Sequence, residues 1–598
     1  MPTAEHSDSS LPLVSGQGPR SGGLAQASVN DCPRVARRWV WCGLALVLVA
    51  ALGLRLWGIG QGLPYVYNID EAGHFVPKAV KMFTAGLDPR YFVNPPALTY
   101  ALHVVFALWF GGGSEVTREY ALHPDDLYAV ARVTVALLGA AAVWLLYLLG
   151  ARLFDRRVGL LAAALEAVAF LPVFYGHFAL NDAATLLPLT LSLLGSAGVV
   201  RSGRRRDYAL AGLGLGLACA SKYTAGIAIV PLLVACAAQY LAAAPGGARR
   251  ALAGVAIAGG CALAAFLLAN PYALLDFQRF HSELVHQSSL SEGAQGKLGA
   301  PKESGFVYYL WSFTWGLGWA PALAALGGAI TVWRRDARVG WLLVPAPILF
   351  LGFMGLQDRY FGRWLLPLFP IACLLAAYFA LALAAAVGRT RVAGALATVT
   401  VALVLLAQGA VYSVHSDLVL ARADTRNLTR AWMVARVPRG ARIVLEPVVL
   451  SSWVGESASG SGTKLWMKYP ALRSVIAPDG RLAPQTSHAV ALEDYETTLS
   501  PRLIGWYERQ GYCWVVSGST ESGRAFADPR AAPLAVAYYR ALATQAEVAH
   551  RVSPYGAGHR PVAFSFDWTF DYYPLSYERP GPEMTVYRLR GGRCARGV

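Results

Sequence analysis

The sequence predicts an α-helical polytopic membrane protein of about 11 spans, followed by a C-terminal α/β extracytoplasmic domain. Three observations carry that prediction. Mean hydropathy is +0.41, with 55% hydrophobic and only 15% charged residues, too apolar for a soluble chain. Apolar runs of membrane length recur from Val40 to Tyr412. Beyond residue 412 the composition changes, and short β-rich runs alternate with amphipathic stretches.

Residues 1–33 are rich in Ser, Gly and Pro without an apolar period and read as a disordered cytoplasmic tail. Apolar stretches at 40–58, 128–150, 157–175, 183–200, 208–220, 223–243, 251–269, 311–333, 340–356, 364–385 and 391–412 read as spans. The first is long and lacks a cleavage site, so it reads as a signal anchor. Ala97–Phe110 is short for a span and reads as juxtamembrane or re-entrant. In the tail, Ala441–Glu446, Tyr512–Ser517 and Met584–Leu589 read as strands, and Asp424–Arg436 and Pro533–Ala549 as helices. The expected organisation is a cytoplasmic tail (1–33), a transmembrane domain (34–412) and an extracytoplasmic domain (413–598).

The formal charge of +16 is spread in a way that excludes a nucleic-acid partner. Its clusters fall between spans: Arg34, Arg37 and Arg38; Arg152, Arg156 and Arg157; Arg201 with Arg204 to Arg206; Arg249 and Arg250; Arg334, Arg335 and Arg338; Arg389 and Arg391. Placing all six in the cytoplasm satisfies the positive-inside rule and sends Asp70, Asp182, Lys222 and Arg359 to the outer side of a multi-pass plasma-membrane protein.

Cys42, Cys219, Cys236, Cys261 and Cys373 lie in apolar spans and read as small core residues. Cys513 and Cys594 are available for a disulfide in an oxidising compartment. The chain carries no HExxH, Walker loop or CxxC.

Asp70 and Glu71, about a dozen residues past the first span, form the most informative pair. A carboxylate pair just beyond a membrane exit suits chemistry at the interface, although Asp70 equally suits a helix N-cap. Asp182 in His177-Phe178-Ala179-Leu180-Asn181-Asp182 opens a span, where the macrodipole also favours an acid. Lys222 occupies a short outer turn, and Arg359 and Arg363 another. His281, Glu283 and His286, at i, i+2 and i+5, do not share a helical face, so this loop reads as a gate near a cavity rather than a zinc site. Tyr308, Tyr309, Trp311, Trp315 and Trp319 read first as an interfacial belt and second as a stacking surface.

The ordered run Asp70-Glu71, Asn94-Pro95-Pro96, His177 to Asp182, Ser221-Lys222-Tyr223-Thr224-Ala225-Gly226, Asn270-Pro271-Tyr272 with Asp276, and Arg363-Trp364-Leu365-Leu366-Pro367 resembles the polyprenyl-phosphate-dependent glycosyltransferases of the GT-C fold. Its branch is that of the bacterial protein O-mannosyltransferase-like enzymes and the lipid A aminoarabinose transferase. The likeness covers roughly residues 40–412. Asn181 stands where Thr is more usual and Trp364 where Tyr is common.

The resemblance implies transfer of a sugar from a polyprenyl-phosphate donor to the hydroxyl of a protein, glycolipid or envelope glycan, with inversion, at the outer face. It implies Asp70 as base, with Glu71 and Asp182 as accessory acids. Lys222, Arg359 and Arg363 would bind the donor phosphate, and His74, Asn94 and His177 would position donor or acceptor. No cofactor is required; a divalent cation between Asp70 and Asp182 is an option the chemistry leaves open. A secondary transporter or lipid flippase is the competing expectation, and would need broken helices at the midplane and internal repeats.

Overall fold

The computed structural model describes residues 34–243, 247–292, 298–438, 440–447, 453, 465–468, 474–476, 482–484 and 492–595. The segment expected to be a disordered cytoplasmic tail lies outside these residues. Among the described residues, nine helices are long and apolar enough to cross a bilayer, or up to eleven if each of two bent pairs is one span.

Both bends have local causes. Ala97–Phe110 ends at Gly111, whose φ of 88° only glycine adopts freely, and with Gly112 it redirects the chain by 92° into Gly113–Leu122. Arg156–Val168 breaks at Ala169, which is extended, and Pro172 follows one turn later, giving a 59° bend.

Arg205–Ser221, at 17 residues, is just shorter than the nine but falls within the range that spans a bilayer. It packs into the bundle interior through Gly212 and Gly216, four residues apart. A methyl at either would collide with the carbonyl oxygens of Ala258 and Ala262 on the neighbouring helix.

The final helix of the bundle, Arg391–Leu420, runs eight residues past the expected boundary at 412 and carries the chain into the C-terminal domain. Its strands are β1 (Arg442–Leu445), β2 (Leu465–Lys468), β3 (Ser474–Ile476), β4 (Leu482–Pro484), β5 (Tyr512–Gly518), β6 (Glu547–Val552) and β7 (Met584–Arg588). Five form one mixed sheet in the order β2-β1-β5-β7-β6. β2, β1 and β5 are parallel, and β7 is antiparallel to both neighbours; β3 and β4 form a separate antiparallel pair.

Period-two alternation builds two cores. Ile443, Leu445 and Val516 face Met433 and Trp453, while Val444 and Val515 face Leu503, Tyr507 and Leu542. The disulfide between Cys513 and Cys594 forms, closing the end of the chain onto β5.

Two expectations are corrected. The helix expected to reach Ala549 stops at Gln545, because Glu547–Val552 is recruited as an edge strand by β7. The stretch expected as a gating loop contains a helix, Phe277–Glu292.

The C-terminal domain is seated on the bundle. Trp568 stacks on Phe170 at 5.6 Å, the Tyr175 and Tyr572 hydroxyls lie 3.0 Å apart, and Tyr308 donates to Asp567 at 2.8 Å. Tyr308, Tyr309 and Trp315 are buried, so this half of the predicted interfacial belt is instead an internal seat; Trp311 and Trp319 remain exposed.

Candidate active site

A cavity of about 890 Å³ opens between the bundle and the C-terminal domain. Asp70, His74 and Asn94 reach it from the loop region after the first span, Asp182 and Lys222 from helix ends, and Arg359 and Arg363 from the segment before the helix at 369–387. Arg426, Arg524 and Asp571 close it from the C-terminal domain.

Because these residues share one cavity, the chain crosses the membrane an even number of times between each pair. Between Asp70 and Asp182 the helix 124–153 is one crossing, so one of the bent pairs 97–122 and 156–177 supplies the second. Arg156–Val168 packs within the bundle against the helices 34–56, 124–153 and 369–387, which leaves Ala97–Leu122 as the pair that turns back. By the same parity, Arg205–Ser221 crosses between Asp182 and Lys222. These two assignments give eleven crossings, with the C-terminal domain on the side of Asp70.

Arg363 is the centre of the charge network. Its Nη2 donates to Asp70 Oδ2 at 2.7 Å, and its Nε lies 3.9 Å from Asp182 Oδ2. Lys222 Nζ pairs with the other oxygen of Asp182. Two carboxylates and two cations therefore alternate along the wall in the order Asp70, Arg363, Asp182, Lys222. Asp182 is 5% exposed and Asp70 36% exposed, so Asp70 is the more accessible of the two acids.

Local structure aims these groups. Asn68 accepts the Glu71 N–H at 3.0 Å, fixing the turn that carries Asp70. Asn181 donates to the Ser221 carbonyl at 2.7 Å and so ties the Asp182 segment to the helix end beside Lys222.

His74 stacks on Tyr91 at 4.8 Å and lies 3.7 Å from Asp70. Burial, which favours the neutral ring, holds its pKa below the usual histidine value, against the pull of the Asp70 charge. Asn94 donates to the Tyr91 hydroxyl at 2.8 Å. Arg359 lies over the Phe361 ring at 5.6 Å. The helix 277–292 adds Leu284, Gln287, Ser288 and Leu290 to the cavity wall, and its Glu283 accepts the Phe92 N–H.

Two predicted site residues lie elsewhere. Glu71 is fully buried: both oxygens take 2.8 Å bonds from Arg132, and Oε1 also accepts the Ala179 N–H at 2.8 Å. Arg132 Nη1 in turn donates to the carbonyls of Ile59 and Gln61. This staple joins the chain after the first span, the Asp70 turn, the helix 124–153 and the Asp182 segment, and Glu71 is not among the residues that line the cavity.

His177 is also fully buried. Its Nδ1 lies 2.9 Å from the Val173 carbonyl, and its Nε2 lies 3.0 Å from the Trp57 carbonyl and 3.3 Å from Asp417. It anchors the Asp182 segment to the helix leading into the C-terminal domain.

Arg132 went unnoticed in the sequence, although a lone arginine in an apolar span is a signal in itself. Tyr175 and Asp571 carried no local signal, because only the docking of distant segments brings them to the cavity.

Residues 124–274, less than half of the chain, match the family model described as dolichyl-phosphate-mannose-protein mannosyltransferase. Comparison with curated proteins by sequence gives no match. Among solved structures, the archaeal oligosaccharyltransferase AglB from Archaeoglobus fulgidus, in complex with an inhibitory peptide and a dolichol-phosphate, is similar at 14% identity. That likeness covers 91% of this chain and 77% of that one, with a TM-score of 0.47.

ArnT from Cupriavidus metallidurans, bound to undecaprenyl phosphate, is similar at 14% identity over 92% of this chain and 98% of that one, with a TM-score of 0.44. The arabinofuranosyltransferase AftD from Mycobacteria is similar at 16% identity over 92% of this chain and 41% of that one, with a TM-score of 0.41. The dolichyl-phosphate-mannose-protein mannosyltransferase match covers the segment that carries Arg132, Asp182 and Lys222.

Proposed function

We propose that this protein is an inverting membrane glycosyltransferase that moves a sugar from a polyprenyl-phosphate donor to an acceptor hydroxyl at the extracytoplasmic face. The observation that carries this reading is the alternating row Asp70, Arg363, Asp182, Lys222 on the wall of one cavity. The sequence resemblance and the family match over residues 124–274 support the same reaction class.

The reaction follows from the charges. A donor phosphate entering the cavity competes with Asp70 and Asp182 for Arg363 and Lys222, and charge-assisted bonds hold it there. Drawing Arg363 toward the phosphate loosens its hold on Asp70 and raises the basicity of that carboxylate. Asp70 then takes the proton of the acceptor hydroxyl as its oxygen attacks the anomeric carbon from the face opposite the phosphate.

The bond between the anomeric carbon and the phosphate oxygen breaks, and its electron pair leaves with the lipid phosphate. The two cations stabilise the charge that develops on the leaving group. The guanidinium between the two carboxylates supplies the positive charge that a divalent ion would otherwise bring, so this mechanism requires no metal.

Asp182 positions both cations, Arg359 adds charge at the mouth, and His74 and Asn94 shape the acceptor side. Glu71 and His177 act at one remove, by holding the turns that carry Asp70 and Asp182. The transmembrane domain, 34–412 with its helical extension to 420, performs the transfer, and the domain that follows covers the cavity.

The test is sugar transfer from radiolabelled polyprenyl-phosphate sugars in proteoliposomes, with wild-type protein beside Asp70→Asn. Loss of transfer with donor lipid still bound supports Asp70 as base. Full activity in the variant overturns that assignment, and transport of an intact donor lipid without sugar transfer overturns the reaction class.

A further inference from the structure

The sheet of the C-terminal domain has two functional ends. Glu446 and Pro447 after β1, Thr520 and Glu521 after β5, and Gly581 and Pro582 before β7 lie toward the bundle, and most of them line the large cavity. At the opposite end, the start of β1, the start of β5 and the end of β7 enclose a second pocket of about 240 Å³. β5 alone has seven residues and separates the two by about 20 Å at its rise per residue. The second pocket therefore faces away from the membrane domain.

Its chemistry is one-sided. Arg442, Arg588 and Arg593 line it with Trp514, and no acidic residue does. Among the described residues, none of the three arginines is ion-paired: the nearby Glu547 is engaged by Arg590, and Glu508 accepts the Gly591 N–H.

Two of the arginines are held in place. Arg588 lies over the Trp514 ring at 5.6 Å, from the position directly opposite it in the sheet, and Arg442 lies over Tyr512 at 5.5 Å and donates to the Gln510 carbonyl at 2.8 Å. Arg593 has an exposed side chain, and its neighbour Cys594 is bonded to Cys513, which ties this stretch of backbone to β5. Three arginines without an ion pair among the described residues make this end of the sheet basic, although Glu547 sits across from Arg588, and guanidinium forks match carboxylate or phosphate oxygens. The pocket is smaller than those that enclose drug-sized ligands, about 300–1,000 Å³, and suits one acidic group with the ring that bears it.

We infer that this pocket binds an anionic saccharide, bearing carboxylate or phosphate, as a distal holding site for the acceptor chain. The choice of a saccharide rests on the glycosyltransferase reading above; the choice of an anion rests on the pocket alone. An acceptor held about 20 Å from the cavity mouth presents its reacting end to Asp70 while its body stays tethered, which raises its effective concentration at the active site.

The test is binding to the full-length protein in nanodiscs, with fluorescent hexagalacturonate as the carboxylate probe. Inorganic phosphate serves as competitor, and a neutral hexasaccharide and hexaglutamate serve as comparators. The inference expects saturable binding of hexagalacturonate, displacement by phosphate and little binding of the neutral sugar. It expects Arg588→Gln with Arg593→Gln to weaken binding at least about tenfold, the scale of one lost charge-assisted bond.

Unchanged melting and unchanged binding in Asp70→Asn show that the effect is local. Equal binding of the neutral sugar, equal or tighter binding of hexaglutamate, or no loss in the double variant overturns the inference. Failure of this site leaves sugar transfer from the lipid donor intact. Failure of the transferase reading abolishes transfer from every donor while hexagalacturonate binding persists.

Discussion

Asp70 and Glu71 are adjacent in the chain and each faces an arginine, yet the two pairs have opposite characters. Glu71 and Arg132 meet in a two-pronged geometry with both side chains fully buried, and the remaining bonding capacity of each is used by backbone groups. Asp70 and Arg363 meet through a 2.7 Å bond on a cavity wall, with a second acid and a second cation in line. The first pair is saturated and holds segments together. The second is open to the cavity and can exchange partners when an anion enters. The difference shows that exposure to a cavity, more than the presence of a salt bridge, separates a pair that a substrate can reach from a structural one.

The largest expected effect tests the open pair. Asp70→Asn lowers transfer about 10²- to 10⁴-fold, the usual contribution of a positioned base, with donor binding and melting temperature retained. Glu71→Gln does the reverse, since it leaves Arg132 buried without its counter-charge at a cost of about 3–5 kcal/mol. Thermal unfolding in detergent detects that loss. If Glu71→Gln instead kept the melting temperature and abolished turnover, the roles of the two acids would be exchanged.

A smaller effect sharpens the open pair. Arg363→Gln and Lys222→Gln each weaken binding of undecaprenyl phosphate by roughly ten- to a hundredfold, as expected for a charged hydrogen bond worth about 1.5–3 kcal/mol. Arg359→Gln, held only against a ring, produces the smallest loss of the three. Equilibrium binding in nanodiscs ranks them.

Buried acids in the C-terminal domain extend the comparison to pH. Burial pushes the Glu446 carboxyl up to about 8, against its ordinary 4.5. The folded form then holds a proton that the unfolded form has released between those values, so stability falls as pH rises from 4.5 to 8. The C-terminal domain is expected to melt several degrees higher at pH 5 than at pH 8, and Glu446→Gln flattens that dependence. Glu521, also pushed up by burial, contributes with the same sign.

The least effect is expected at the seat of the domain. Tyr572→Phe removes the hydroxyl contact with Tyr175 and costs about 0.5–1.5 kcal/mol. Differential scanning fluorimetry reads it as a small drop without loss of transfer.

Much of this architecture is legible before folding. Apolar length and the spacing of arginine clusters define the spans, since a bilayer demands continuous hydrocarbon-soluble helix and retains cations on one side. Strands Arg442–Leu445, Tyr512–Gly518 and Met584–Arg588 fall within one residue of the runs read from the sequence, because their apolar content is local. Among the candidate site residues, Asp70, Asp182, Lys222, Arg359, Arg363, His74 and Asn94 line one cavity.

Tertiary structure alone decided the rest. Whether an acid is saturated depends on what packs against it, and Arg132 lies 61 residues from Glu71. The short apolar run of 97–110 already suggested that it does not cross, and the 92° turn at Gly111 and Gly112 adds how the chain is returned. The seat formed by Phe170, Tyr175 and Tyr308, and the arginine pocket at the far end of the sheet, join residues from opposite parts of the chain. Local sequence sets which segments enter the membrane because solvation acts residue by residue; pairing and burial of charge are decided by packing, which acts between segments.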